Sequence, residues 1–162
     1  STRVRNAVGR GDLWLARRLL GRVFTMEGPL VRGQGIGSRR TVPTLNLGIG
    51  PGLGLGIGEA QLPAMGVYVT RTCDPDSEQT WNSITNVGRR PTFDDGSPSV
   101  ETHLIEPADP VSLQRIQLSF LRRLRDERRF DSPAALREQI LADIAQAERF
   151  FQRLRTVSSS AP

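Results

Sequence analysis

G-V-Y-V-T-R-T at 66–72, T-W-N-S-I-T-N-V at 80–87 and S-V-E-T-H-L-I at 99–105 are three short runs rich in β-branched and aromatic residues, the composition of strands. The turn-rich stretches D-P-D-S-E and G-R-R-P-T-F-D-D-G-S-P separate them. Connections this short leave no room for crossover helices, so the strands are expected to pair antiparallel. R-I-Q-L-S-F-L at 115–121 adds another strand, with Ile116, Leu118 and Phe120 on one face. R-V-F-T-M at 22–26 reads as an earlier one. Several strands without helices between them indicate a barrel or sandwich.

Helices are expected only at the two ends. Over 12–20, Asp12 is placed to cap a short helix whose apolar stripe is Leu15, Leu19 and Leu20, and Gly21 stops it. At the other end Ser132 caps and Pro133 opens a helix carrying Leu136, Ile140, Ile144, Ala147, Phe151 and Leu154 at helical spacing. The stripe requires a surface to cover, one side of the barrel. S-S-S-A-P at the end reads as a frayed tail. Residues 28–41, with Gly28, Pro29, Gly33, Gly35 and Gly37, read as loop, and L-G-I-G-P-G-L-G-L-G-I-G-E at 47–59 as a flexible loop or irregular strand.

Composition narrows the chemistry. The chain has 162 residues, 37% hydrophobic and 24% charged, the size and balance of one folded domain. All 22 basic residues are arginine. A Walker A lysine, a Schiff-base lysine and the strand lysine of protein kinases are thereby excluded. His103 is the only histidine and Cys73 the only cysteine, which excludes an internal disulfide and cysteine-rich or multi-histidine metal sites. No apolar run approaches the ~20 residues of a membrane span, and no signal-peptide pattern opens the chain. The net charge of +5 is concentrated at the two ends around an acidic middle. Basic ends suit a phosphorylated ligand or nucleic acid; solvated surface arginine is the structural alternative.

Five motifs carry candidate chemistry, each with a structural alternative. G-Q-G-I-G at 33–37 places backbone amides for an anion, or is a turn. In V-P-T-L-N at 42–46, an extended chain points Thr44 and Asn46 the same way, two hard oxygens suited to Mg²⁺; otherwise this is an edge strand with polar outward residues. In V-E-T-H-L at 100–104, Glu101 and His103 share the face opposite Val100, Thr102 and Leu104. Glu101 is then a strand-mounted general base or metal partner, or half of a solvent-facing pair. N-V-G-R-R-P-T-F-D-D at 86–95 is a lid over a ligand or a hairpin connection. L-R-D-E-R-R-F at 124–130 offers Arg125, Arg128 and Arg129 to a phosphate or planar ring, or joins a strand to the last helix.

The order of these pieces is specific. P-T-x-N, then P-x-x-G-V-Y (Pro63, Gly66, Val67, Tyr68), N-x-G-x-x-P-T-F, V-E-x-H-L, L-R-x-E-x-x-F and S-x-x-x-L-x-x-Q-I-x-x-D follow one another from about Leu20 to Phe151. The series resembles the riboflavin kinase family, and within it the kinase half of the bacterial bifunctional riboflavin kinase/FAD synthetase. The resemblance implies a mainly β fold, a six-stranded antiparallel Greek-key barrel with a C-terminal helix. It implies transfer of phosphate from ATP to riboflavin, giving FMN and ADP, with Mg²⁺, or with Zn²⁺ or Mn²⁺ in its place. By match to the motifs, Glu101 is the catalytic base. Gly33, Gly35, Gly37, Thr44, Asn46, Asn86 and Gly88 serve ATP and its phosphates, with Thr44 and Asn46 also metal ligands. Pro91, Thr92, Phe93 and Arg125 form the flavin side and flap. Departures fall at Thr41-Val42, where the family has Gly-Phe or a similar pair, and in a longer glycine-rich segment between Asn46 and Pro63.

S-T-R-V-R at 1–5 is similar to the end of that enzyme's adenylyltransferase domain, in which Ser1, Thr2 and Arg5 match positions that help hold ATP. Residues 1–20 are therefore expected to be a remnant or linker from that domain, 21–156 the kinase domain and 157–162 a disordered tail. The H-x-G-H signature of the adenylyltransferase is not in the sequence, so FMN adenylylation is expected only of a longer protein. A cytoplasmic protein without membrane or specific nucleic-acid partners is implied. The alternative is a non-catalytic arginine-rich barrel binding flavin or RNA. The low aromatic content, 6%, argues against base stacking.

Overall fold

The strand runs close into a barrel. The computed structural model describes residues 1–31, 44–49, 62–89, 97–106 and 113–159. Its strands are β1 (Phe24–Val31), β2 (Leu45–Leu47), β3 (Gly66–Cys73), β4 (Thr80–Arg89), β5 (Pro98–Leu104) and β6 (Arg115–Arg125). The order around the closed barrel is β1-β2-β5-β4-β3-β6, and every pairing is antiparallel. β3, β4 and β5 follow one another, and β6 returns to lie beside β3. This is a Greek key, as the resemblance implies.

The two faces of the strands divide as the alternation demands. Val100 and Thr102 of β5 point inward, with Val87 and Thr85 of β4 opposite them. Met26, Leu47, Tyr68, Val87, Val100, Ile116, Leu118 and Phe120 fill the interior, joined by Leu13. The interior also holds a run of buried hydroxyls. Thr72 donates to Ser83 at 2.8 Å, Ser83 meets Thr70 at 2.7 Å, Thr70 meets Thr85 at 2.8 Å and Thr85 meets Thr102 at 2.5 Å. Each hydroxyl finds a partner, so burying them carries no unsatisfied polar atom.

Helices pack outside. α1 (Thr2–Gly9) and α2 (Leu13–Leu20) form a pair sharing a small core of Ala7, Val8 and Ala16. The Asp12 side chain accepts from the Leu15 amide at 2.9 Å, and Gly21 ends α2 at φ 70°, the left-handed conformation that glycine adopts without strain. α1 lies in the stretch expected as remnant or linker; its eight residues carry only a short apolar face, and Val4, Ala7 and Val8 gain burial through α2. α3 (Pro133–Ser159) is capped by Ser132, whose hydroxyl accepts from the Ala135 amide at 3.1 Å. It lays Ala147 and Phe151 over Val69 and Ile84 on the outer face of β3 and β4. The helix runs through Ser159, three residues into the expected tail, and 160–162 lie outside the described residues.

Two boundaries differ from the sequence reading. β1 continues through Gly28–Val31, which reads as loop. A Cβ on Gly28 would stand 2.9 Å from the Gly48 carbonyl oxygen and 3.0 Å from Leu47 Cδ1, so glycine here admits a close approach rather than a turn. Pro29 lies just before the β1–β2 pairs Leu30–Leu47 and Val31–Asn46, where no amide donor is required. β6 likewise continues to Arg125, into the segment read as a connection.

At one end of the barrel Tyr68 and Arg123 join the helix pair to the strands. The Tyr68 hydroxyl donates to the Ala64 carbonyl, and Arg123 Nε donates to the Tyr68 oxygen at 3.3 Å. Burial pushes the Tyr68 hydroxyl's pKa up, against the pull of the Arg123 guanidinium.

Candidate active site

One rung of the sheet collects several of the residues expected at the site. Asn46 of β2 pairs with Glu101 of β5, and Glu101 pairs with Asn86 of β4. Asn86 pairs in turn with Val67 of β3, and Val67 with Arg125 of β6. Directly paired residues project to the same side, with Cβ atoms about 4.5–5.5 Å apart. Their neighbours Leu47, Val100 and Val87 fill the interior, so Asn46, Glu101 and Asn86 stand on the outer face. All three are half-buried. Thr44, exposed, lies just before β2 and two positions from Asn46.

Gly88, buried, lies two residues beyond Asn86 on that face and pairs with Ser99. A Cβ there would collide with the Glu127 carboxylate and stand 3.2 Å from Asn86 Nδ2. Glu127 therefore rests over Gly88 beside Asn86, a second carboxylate at the edge of the Glu101 rung. Arg125 turns toward α3. Its Nε donates to both oxygens of Asp143 at 3.1 Å, and its Nη2 donates to Oδ2 at 2.8 Å.

The structure thus brings Asn46, Glu101 and Asn86 into one row, with Gly88 adjoining it and Arg125 at its end. Gly33, Gly35 and Gly37, expected around phosphate, lie outside the described residues, as do Pro91, Thr92 and Phe93 of the expected flap. Asn46, Glu101 and Asn86 can together hold polar groups on the outer sheet face, with Glu101 the carboxylate of the row. Glu127, Gln139 and Asp143 went unassigned in the sequence reading. A signal for Asp143 was present: it falls between Ile140 and Ala147 on the apolar stripe of the last helix, and an acid on a buried stripe demands a partner.

Curated relatives align along nearly the whole chain. It is 37% identical over 148 residues to the bifunctional riboflavin kinase/FMN adenylyltransferase of Pseudomonas fluorescens, covering 91% of this chain and 44% of that protein. It is 30% identical over 158 residues to the enzyme of the same name from Bacillus subtilis, covering 96% and 47%. The chain therefore spans about half the length of the relatives it matches. Among solved structures, one described as a macrolide-efflux protein from Streptococcus pneumoniae superposes with a TM-score of 0.77 at 30% identity, over 91% of this chain and 46% of that one. No helix among the described residues is long and apolar enough to cross a membrane. The family model for flavokinase, that is riboflavin kinase, matches residues 20–151, from the end of α2 to the Phe151 that seals α3 on the barrel, and this chain belongs to the riboflavin kinase family.

Proposed function

We propose that this chain transfers the γ-phosphoryl group of ATP to the terminal ribityl hydroxyl of riboflavin, releasing FMN and ADP. The observation that carries the reading is the row Asn46–Glu101–Asn86 across three neighbouring strands. Phosphoryl transfer asks little covalent chemistry of a protein; it asks for alignment and charge neutralisation. Glu101 accepts the proton of the attacking hydroxyl as its oxygen closes on the γ-phosphorus, and the bond to the β-phosphate oxygen breaks. Asn86 and Gly88 border the nucleotide, with Gly33, Gly35 and Gly37 giving backbone amides to its phosphates. Pro91, Thr92, Phe93 and the Arg125 segment enclose the flavin.

Among the described residues no group of three His, Cys, Asp or Glu side chains could hold a metal. The donors offered are the Thr44 hydroxyl and the Asn46 amide oxygen. Two hard oxygens with open positions fit Mg²⁺, which keeps waters and takes phosphate oxygens as ligands. Mn²⁺ accepts the same hard oxygen donors, whereas Zn²⁺ is served less well by an all-oxygen set. When bound, the cation neutralises phosphate charge. ATP and Mg²⁺ are cytoplasmic supplies, and we place the protein there. The relatives are bifunctional by name; the proposal covers the kinase step alone.

The test is incubation with riboflavin, ATP and Mg²⁺, followed by chromatographic separation of flavins. FMN and ADP are expected in equal amounts. No FMN across a full Mg²⁺ titration would remove the reading.

Gly88→Ala probes the edge of the row. The group that must yield is the far end of the flexible Glu127 side chain. The melting temperature is expected to move by no more than about 3 °C, a surface-sized effect. Displacing Glu127 beside Asn86 is expected to lower kcat/KM by about tenfold to a hundredfold, the scale of a small misplacement in a site. Steady-state kinetics with each substrate varied in turn would show it; unchanged values would place Gly88 outside the site.

A further inference from the structure

Asp143 is 1% exposed, on a helix whose buried stripe is otherwise apolar, and the proposed reaction makes no use of it. Its carboxylate is fully engaged. Arg125 donates to both oxygens, and Gln139 Nε2 donates to Oδ1 at 2.9 Å. The same Arg125 also donates to the Asp126 carbonyl at 3.0 Å and places its guanidinium 5.8 Å from the Phe130 ring centroid. Arg128 donates to Gln139 Oε1 and stands 5.0 Å from the same ring centroid. Segment 126–130 is therefore tied to the Asp143 centre at its first, third and last residues. Between the first two ties Glu127 projects over Gly88.

We infer that Asp143 is a positioning residue for riboflavin. Acting through Arg125 and Gln139, it fixes segment 126–130 as a wall beside the Asn46–Glu101–Asn86 row. The inference rests on the kinase reading and adds a residue to it. At its burial Asp143 cannot touch substrate, so any effect on substrate travels through the arginine. A buried ion pair is weak as a source of net stability, because desolvating two charges offsets their attraction. This one instead sets where a loop runs. Arg125, exposed on 20% of its side chain, belongs to the flavin side by what it holds in place.

Asp143→Asn keeps the shape and removes the charge. Riboflavin affinity, read by flavin fluorescence quenching, and riboflavin KM are expected to weaken about tenfold. The ATP KM is expected to rise less than the riboflavin KM, since only Glu127 of the segment meets Gly88 on the nucleotide side, and amide exchange at 126–130 should quicken. In an Arg125→Met background the Asp143→Asn change is expected to weaken riboflavin binding no further, since coupled residues are not additive. Should Asp143→Asn fail to fold, Arg125→Met/Asp143→Leu replaces the pair by apolar groups of similar size, an exchange proteins tolerate, and is expected to show the same riboflavin defect. Riboflavin affinity within about twofold of wild type, with only the melting temperature lowered, overturns the inference and leaves the kinase reading standing. A wild-type protein that makes no FMN removes the kinase reading, and the inference with it.

Discussion

Glu101→Gln is expected to lower kcat by about 10²–10⁴-fold, the usual contribution of a positioned general base, while the protein stays folded. Glutamine occupies the same volume and can still accept a hydrogen bond from a substrate hydroxyl, but it cannot hold the proton. Glu101 faces outward from β5, and its backbone is paired on both sides, to Asn46 and to Asn86. The ladder that places it is main-chain and does not depend on the carboxylate. Riboflavin KM should therefore change little, so that kcat and kcat/KM fall together, the signature of an interaction made in the transition state. A kcat within about threefold of wild type would clear Glu101 of the role.

The strands were legible because β-branched residues alternate with polar ones, and the division of β5 into Val100/Thr102 and Glu101/His103 follows directly. The face that turns inward was less so. In β3, Val67 and Val69 look outward while Thr70 and Thr72 look inward, because α3 covers the outer face and hydroxyls bond one another inside. Hydropathy alone would invert that strand. The pairing of β2 with β5 joins residues about 55 positions apart, and no local pattern encodes a contact of that separation. The expectation that Thr44, Asn46, Asn86 and Glu101 act together rests on motif order, which carries the long-range information that periodicity lacks. Glu127 lay inside a quoted motif, but its place became visible only once Gly88 and segment 126–130 were seen in contact. Two arginines of β6 outside the quoted motifs serve the fold. Arg115 spans β1 and β6 to Glu27 at 2.7 Å, and Arg123 meets Asp126 at 2.7 Å. These are structural cations, and being exposed or half-buried they contribute little each.

Phe120→Ala is expected to cost about 3–5 kcal/mol of stability, the range for emptying a buried phenylalanine site. That corresponds to a melting temperature lower by roughly 10 °C for a chain of this size. Phe120 is 2% exposed and occupies the seam at which the barrel closes. It pairs with Phe24 of β1 on one side and Thr70 of β3 on the other. Its ring centroid lies 5.7 Å from that of Phe24 and 5.4 Å from that of Tyr68. Alanine would leave a cavity between strands that cannot move together, because each is fixed by hydrogen bonds to its other neighbour. Losing one member of the hydroxyl run, as in Thr85→Val, removes hydrogen bonds but keeps volume, and should cost less, about 1–3 kcal/mol. The Asn46–Glu101–Asn86 row lies on the outer face of β2, β5 and β4, whereas Phe120 points inward from β6. Turnover measured well below the melting temperature is therefore expected to stay close to wild type in Phe120→Ala, the reverse of Glu101→Gln. Denaturant titration gives the stability. A loss under about 1 kcal/mol would mean that the seam between β1 and β3 is not held through Phe120.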